Sequence, residues 1–402
     1  MPLPFRASFI LFLDFFFLDL FSFARCLLSY SDRMELFLGY KSAYEYWCIH
    51  DLDESCITSK ALPNSRQIPN AANIKHLLAY GIISSPIHLV VASASSKRKL
   101  SNVLCHVSGK GITPKAFKRV NPPLLSLAPL TPSKSSTSSM VLMSPISSAP
   151  SPFSMSPTSS TPSIPVTPSA PSLLSAPSPS PTLYVASPEV TFLQMAKGSN
   201  IYRVLEIGYE LCGHYAIHPL TGGLLVRKPR TTKNKIEKHL AATCGSHGHR
   251  LASKAFPYLC NDSASPMETK LTLLLALPPH LGGYGLPFPE LNFPVFSTHH
   301  GKKAKELYRC DLCWPKEKLA LEYDSHQFHS EEEKRELDSR RRIAIESHGL
   351  HVISVTKQQV YSQGAFNELA EVVAKYLGKR LRITRSNKDL QRAKLRNALF
   401  GQ

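Results

Sequence analysis

The chain has 402 residues, a formal net charge of +18 and a pI near 9.5. That length leaves room for two or three domains, and the charge favours anionic partners over acidic or neutral ones. Nine cysteines, odd in number and without a regular framework, exclude a disulfide-stapled secreted scaffold and point to a reduced, cytoplasmic protein.

Residues 1–33 carry the apolar run FILFLDFFFLDLFSFARCLL. It approaches the roughly 20 residues that a membrane span needs. Asp14 and Asp19 interrupt it, and each costs about 2.5–3.5 kcal/mol at the centre of a spanning helix. Met34 then opens MELFLGYKSAYEYW, which reads as a soluble start. The preferred expectation is therefore a natural start at Met34, with no membrane partner.

Residues 34–120 have a globular composition. Ser42 to Cys48 suits a capped helix, and NAANIKHLLAYG suits a second, with Ile74, Leu77 and Leu78 on one stripe and Gly81 as its stop. IHLVVAS suits a strand. Residues 121–182 hold about half of the chain's prolines, many serines and threonines, and a single charged residue, Lys134. Such a stretch buries too little apolar surface to offset its ordering entropy, and disorder is expected there. Ser187 then caps a helix from Glu189 to Lys197, with Val190, Leu193 and Gln194 on one side. The tract thus reads as an insertion into one mainly helical N-terminal domain, residues 34–120 plus 183–250.

A basic run follows. Arg227, Lys228, Arg230, Lys233 and Lys235 form a phosphate-friendly series. His239, Cys244, His247 and His249 have zinc-like spacing but lack a second ligand pair beside them, so zinc is not expected. In SPMETKLTLLLAL, Pro266 fits a first helical turn and Glu268 the positive end of the helix dipole. Met267, Leu271, Leu274 and Leu275 form the apolar stripe.

The most informative stretch is Tyr308 to Thr356. Leu319, Leu321 and Tyr323 alternate with Ala320, Glu322 and Asp324, a period of two. Tyr308 to Trp314 is a second apolar run, and Pro315 to Lys318 is a connection of hairpin length. A symmetric loop sets Trp314 opposite Leu319 and Asp311 opposite Glu322, with Asp324 on the face of Glu322. Three converging carboxylates need a cation, and a hard ion such as Mg²⁺ suits them. Cys310 and Cys313, three apart, are expected on different faces as core residues. Glu331 to His348 reads as a helix, Leu350 to Val355 as a buried strand and Phe366 to Leu377 as an amphipathic helix. Lys379 to Arg396 is basic and suits a helical tail, residues 381–402.

An acid on one strand, E-x-D on the next, a helix with Asp338 and Arg341, then Gly349 and a Val-rich strand: this pattern resembles the restriction-endonuclease-like PD-(D/E)xK superfamily. Within it the chain is most similar to the very-short-patch-repair branch, which includes many bacterial proteins. The resemblance covers roughly residues 265–380. It implies an α/β fold with an α-β-β-β-α-β core in residues 251–380. It aligns Glu268 with the family's helix acid, Asp311 with the first strand acid, and Asp324 and His329 with two histidines that flank its metal site. Cys310 replaces the family's proline, and Asp324 stands where the lysine of E-x-K would be.

The implied activity is Mg²⁺-dependent hydrolysis of DNA. Asp311, Glu322 and Asp324 would hold the metal, Asp324 or His329 would serve the attacking water, and Glu268 would support them. Arg341 joins the basic run as a nucleic-acid contact. The alternative is a non-catalytic DNA-binding regulator with a protein partner, of the toxin–antitoxin or abortive-infection type.

Overall fold

Strand β1 (Glu35–Leu38) lies at the centre of a five-stranded N-terminal sheet, with two strands on either side of it. The computed structural model describes residues 35–51, 84–92, 102–108, 116–120, 182–296, 306–324, 349–381 and 387–401, with a few further positions between 77 and 97 and at 345–346. The apolar segment 1–33, the helix expected around Ile74 and nearly all of the tract 121–182 lie outside the described residues, as do His329, Asp338 and Arg341.

In this sheet β2 (Ile87–Val91), β3 (Val103–Val107) and β4 (Phe117–Val120) precede the tract, and β5 (Thr182–Ala186) follows it. Strand β1 pairs parallel with β5 and antiparallel with β2, and β4 pairs antiparallel with β5. Phe37 sits opposite Tyr184 in the register and stacks on it at 4.7 Å, while Phe117 meets Phe37 edge-on at 5.3 Å. Such cross-strand aromatic pairs bind the two sides of the tract into one sheet.

Helix α1 (Tyr40–Ile49) packs on this sheet and buries every side chain from Ser42 to Cys48. Trp47 is fully enclosed, and its indole N–H donates to the Ala186 carbonyl at 2.7 Å. Helix α2 (Pro188–Met195) starts as expected, with the Ser187 hydroxyl accepting from the Val190 amide. Asn200 caps α3 (Ile201–Cys212) in the same way. The N-terminal part thus combines these helices with a five-stranded sheet that the sequence reading did not include. ELFL, FKRV and TLYVA are too short to show a period, and partners brought in from beyond the tract decide their conformation.

A two-stranded hairpin, β6 (Tyr215–Ile217) and β7 (Leu224–Val226), leads to α4 (Lys233–Ala242) and α5 (His249–Ala255). Helix α6 (Pro266–Ala276) follows. The C-terminal sheet comprises β8 (Glu290–Phe296), β9 (Glu306–Trp314), β10 (Leu319–Asp324) and β11 (His351–Thr356), in the order β11-β10-β9-β8. The pair β10–β11 is parallel and the others are antiparallel. Short helix α7 (Lys357–Tyr361) and α8 (Gln363–Tyr376) come next. Helix α8 buries Phe366, Leu369 and Val373, the stripe read from the sequence. The protein is thus of mixed α/β class, and one apolar cluster runs from Leu36 through Leu271, Leu312 and Phe366 to Leu399.

The expected basic tail is a docked helix, α9 (Asn387–Phe400), with Leu395 and Leu399 buried. Arg396 donates to the carbonyls of Val360 and Tyr361 at 2.6 and 2.7 Å, and Arg392 lies 4.8 Å from the Tyr284 ring. Gly282 permits this docking. Its φ is +88°, and a Cβ there would come within 2.3 Å of the Gln391 carbonyl oxygen. Gly282→Ala is expected to cost on the order of 2–4 kcal/mol, from left-handed strain plus displacement of α9. A lower urea midpoint with faster proteolysis after residue 381 would register it; unchanged values would disprove the tight seat. No helix among the described residues is long and apolar enough to cross a membrane.

Candidate active site

The first turn of α6 positions one acid. Ser265 occupies the cap and accepts from the Glu268 amide at 3.2 Å, and Pro266 takes the first turn without losing a needed donor. Glu268 bends back, and its Oε2 accepts from the Ala264 amide at 2.7 Å. This is close to a capping box. The side chain is nevertheless only 5% exposed. Burial, and then the nearby charge of Asp311, push its carboxyl up to about 7. Burial beside a second acid thus brings its titration close to neutral pH.

Strand β9 positions the second acid at a lapse in its pairing. The β8–β9 register passes from Leu291–Leu312 to Phe293–Cys310 without pairing Asn292 to Asp311, and Asn292 has a φ of +51°. On the other side Trp314 lies opposite Leu319, as expected, but the β9–β10 ladder stops at Leu312–Leu321. Asp311 therefore lies just past the end of that ladder. Its Oδ2 accepts from the Tyr323 amide at 2.8 Å, which fixes the carboxylate against β10.

The remaining acids, Glu322 and Asp324, lie on β10. Leu319 and Leu321 enter the main core, whereas Ala320 joins a second cluster with Cys313, Val352 and Leu350. By alternation Glu322 shares the side of Ala320. Consistently, Glu290 and Glu322, after burial itself, push the Cys313 thiol up to about 12. Asp324 ends β10 and, after burial and Tyr361, raises the Tyr323 phenol. Among the described residues no group of three or more His, Cys, Asp or Glu side chains is arranged to hold a metal ion. Glu268 and Asp311 are acids whose charges act on each other, and the β9–β10 register, continued one step past Leu312–Leu321, sets Asp311 towards Glu322. Cys310 and Cys313 are both buried in the second cluster and do not separate to opposite faces, since the lapse at Asp311 lies between them.

The basic run divides into two sets. Arg230 has a side chain 1% exposed; it donates to the Trp47 and Lys228 carbonyls, both at 3.0 Å, and pairs with Asp51. Arg227 donates to the carbonyls of Glu210 at 2.8 Å and Lys228 at 3.0 Å. These two arginines tie backbone carbonyls of α1, α3 and the segment after β7 together. Lys228 and Lys235 are exposed, and half-buried Lys233 donates to the Pro257 carbonyl at 3.2 Å. His249 donates to the Leu240 carbonyl at 3.0 Å, a structural use of one of the zinc-like residues.

Sequence reasoning missed a buried polar cluster between α1 and α3. Tyr44 donates its hydroxyl to Glu210, whose carboxyl burial raises, and Arg203 reaches the same hydroxyl at 3.5 Å. The available signal was an acid embedded among Val204, Leu205, Ile207 and Leu211 on the buried side of α3.

The chain is 26% identical over 176 residues to two uncharacterised proteins of Mycobacterium tuberculosis, from strains CDC 1551 / Oshkosh and ATCC 25618 / H37Rv. The match covers 44% of this chain and 59% of each relative. No family model matches the chain, and no solved structure matches it.

Proposed function

We propose that the C-terminal half is a restriction-endonuclease-like module that hydrolyses phosphodiester bonds in DNA with the help of a divalent metal. The observation that carries this reading is that the charge of Asp311, which the Tyr323 amide holds against β10, acts on buried Glu268. Support also comes from the order helix, three antiparallel strands, then a parallel strand and helix, with the acids on the first helix and second strand. The net charge of +18 suits a polyanionic substrate.

The donor set fits Mg²⁺. Both acids offer only oxygen, their mutual repulsion favours a cation, and Mg²⁺ commonly takes one or two carboxylates together with waters and substrate phosphates. Glu268 and Asp311 would hold it, with Glu322 and Asp324 nearby on β10. Bound there, a divalent cation supplies phosphoryl polarisation and an acidified water. The chain's own part is positional. The Tyr323 amide fixes Asp311, and Glu268, poised near neutrality, can accept a proton at its free oxygen. His329 is the second candidate for that proton.

The test is supercoiled plasmid incubated with the full chain. Mg²⁺-dependent nicking that EDTA stops is expected, with DNA affinity that falls steeply as salt rises. Salt-dependent binding without cleavage in Mg²⁺ or Mn²⁺ would replace this reading with the non-catalytic regulator.

A further inference from the structure

We propose that a cavity between the C-terminal end of α1 and the β6–β7 hairpin is a binding site for a phosphomonoester, independent of the Glu268–Asp311 pair. The cavity measures about 490 Å³, which lies within the usual range for small-molecule sites, roughly 300–1,000 Å³. Arg227, Lys228, Arg230 and His214 are among the residues that line it.

The two arginines are held in place before any ligand arrives. Both terminal nitrogens of Arg227 are engaged by carbonyls, those of Glu210 and Lys228. This leaves its Nε, which is buried and makes no hydrogen bond. The guanidinium is thereby held as a fixed charge beside the cavity, and its field favours an anion there. Arg230 is fixed by Trp47, Lys228 and Asp51. Its positive charge acts on Arg227 and, after burial, lowers that guanidinium's proton affinity further. Like charges held together around a space make a receptor for the opposite charge.

The charge count sets the class of ligand. Arg227, Lys228 and Arg230 give three positive charges and Asp51 one negative, which leaves two. A phosphomonoester carries about −1.5 to −2 near neutral pH, and guanidinium groups match its oxygens in geometry. Apolar Ile49, Leu225 and Val226 also line the cavity. Val226 is 84% exposed although it is a β-branched apolar residue on a strand. It offers a surface for the organic part of the ligand. A nucleotide has both parts, either as a free monophosphate or as the 5′ end of a DNA strand.

The experiment is calorimetric titration of the full chain. The probes are inorganic phosphate, adenosine, AMP, and one oligonucleotide with either a 5′-phosphate or a 5′-hydroxyl. AMP is expected to bind at least tenfold more tightly than adenosine, and inorganic phosphate to compete with it. Lys228→Ala, at an exposed position, should keep the fold and weaken AMP severalfold; Arg227→Lys should weaken it at least tenfold. Preference for the phosphorylated oligonucleotide over AMP assigns the strand end, and the reverse assigns the free nucleotide. Equal binding of adenosine and AMP, no binding of phosphate, or wild-type affinity in both folded variants would overturn the site.

Discussion

Glu268→Gln is expected to stabilise the metal-free protein at pH 8 while abolishing Mg²⁺-dependent cleavage. Burial and the charge of Asp311 raise this carboxyl from its ordinary 4.5 to about 7. With the ordinary value in the unfolded chain, the folded protein holds a proton here that the unfolded chain releases. The resulting stability is fully present below about pH 4.5 and is lost as pH rises through 7. A difference of that size corresponds to about 3 kcal/mol. Glutamine stays neutral throughout, and its amide oxygen can still accept from Ala264. Melts should therefore show wild type losing stability between pH 4.5 and 7 and the variant remaining nearly flat. Asp311→Asn should recover part of the same gain. Mg²⁺ should raise the melting temperature of wild type at pH 8 and of neither variant. A variant less stable than wild type at pH 8 would mean that the Glu268 carboxylate is a helix cap and no more, and the candidate site would lose its centre.

The site was half legible in the sequence. Ser265, Pro266 and Glu268 announce a helix start through local chemistry that needs no distant partner. The register of Trp314 with Leu319 follows from the short connection between them. The same register, continued one step past Leu312–Leu321, sets Asp311 opposite Glu322; what was hidden is the lapse on the β8 side, where Asn292 takes a left-handed conformation. Nothing local to Asp311 signals that lapse, since its cause lies on the neighbouring strand. The N-terminal sheet was hidden for a related reason. Glu35 to Leu38 becomes a strand because Thr182 to Ala186 lies alongside it, beyond the whole proline-rich tract. Helices α2 and α8 carry their own caps and stripes and were readable at once.

The basic run shows the limit of charge as a guide, and the sharpest contrast lies between Arg230 and Lys235. Arg230→Ala is expected to destabilise the protein by about 3–5 kcal/mol, the usual cost of breaking a buried charged network. Three losses add up at this position. The carbonyls of Trp47 and Lys228 lose their donor inside the structure, Asp51 loses its partner, and the side chain, 1% exposed, leaves a void. The Asp51 pair contributes least, since that carboxylate is 76% exposed and screened by water. The end of α1 should loosen first, because the Trp47 carbonyl belongs to its last turn and Trp47 itself anchors the helix to β5. Amide exchange at Cys48 and Ile49 would report that loosening before global unfolding. Lys235→Ala, on the exposed face of α4, should change stability by less than about 0.5 kcal/mol. If Lys235 instead meets a phosphate, its replacement should lower the salt slope of DNA binding by about one. Urea melts of the two variants decide the matter: an Arg230→Ala protein as stable as wild type would return Arg230 to the surface run and remove the structural role assigned to it.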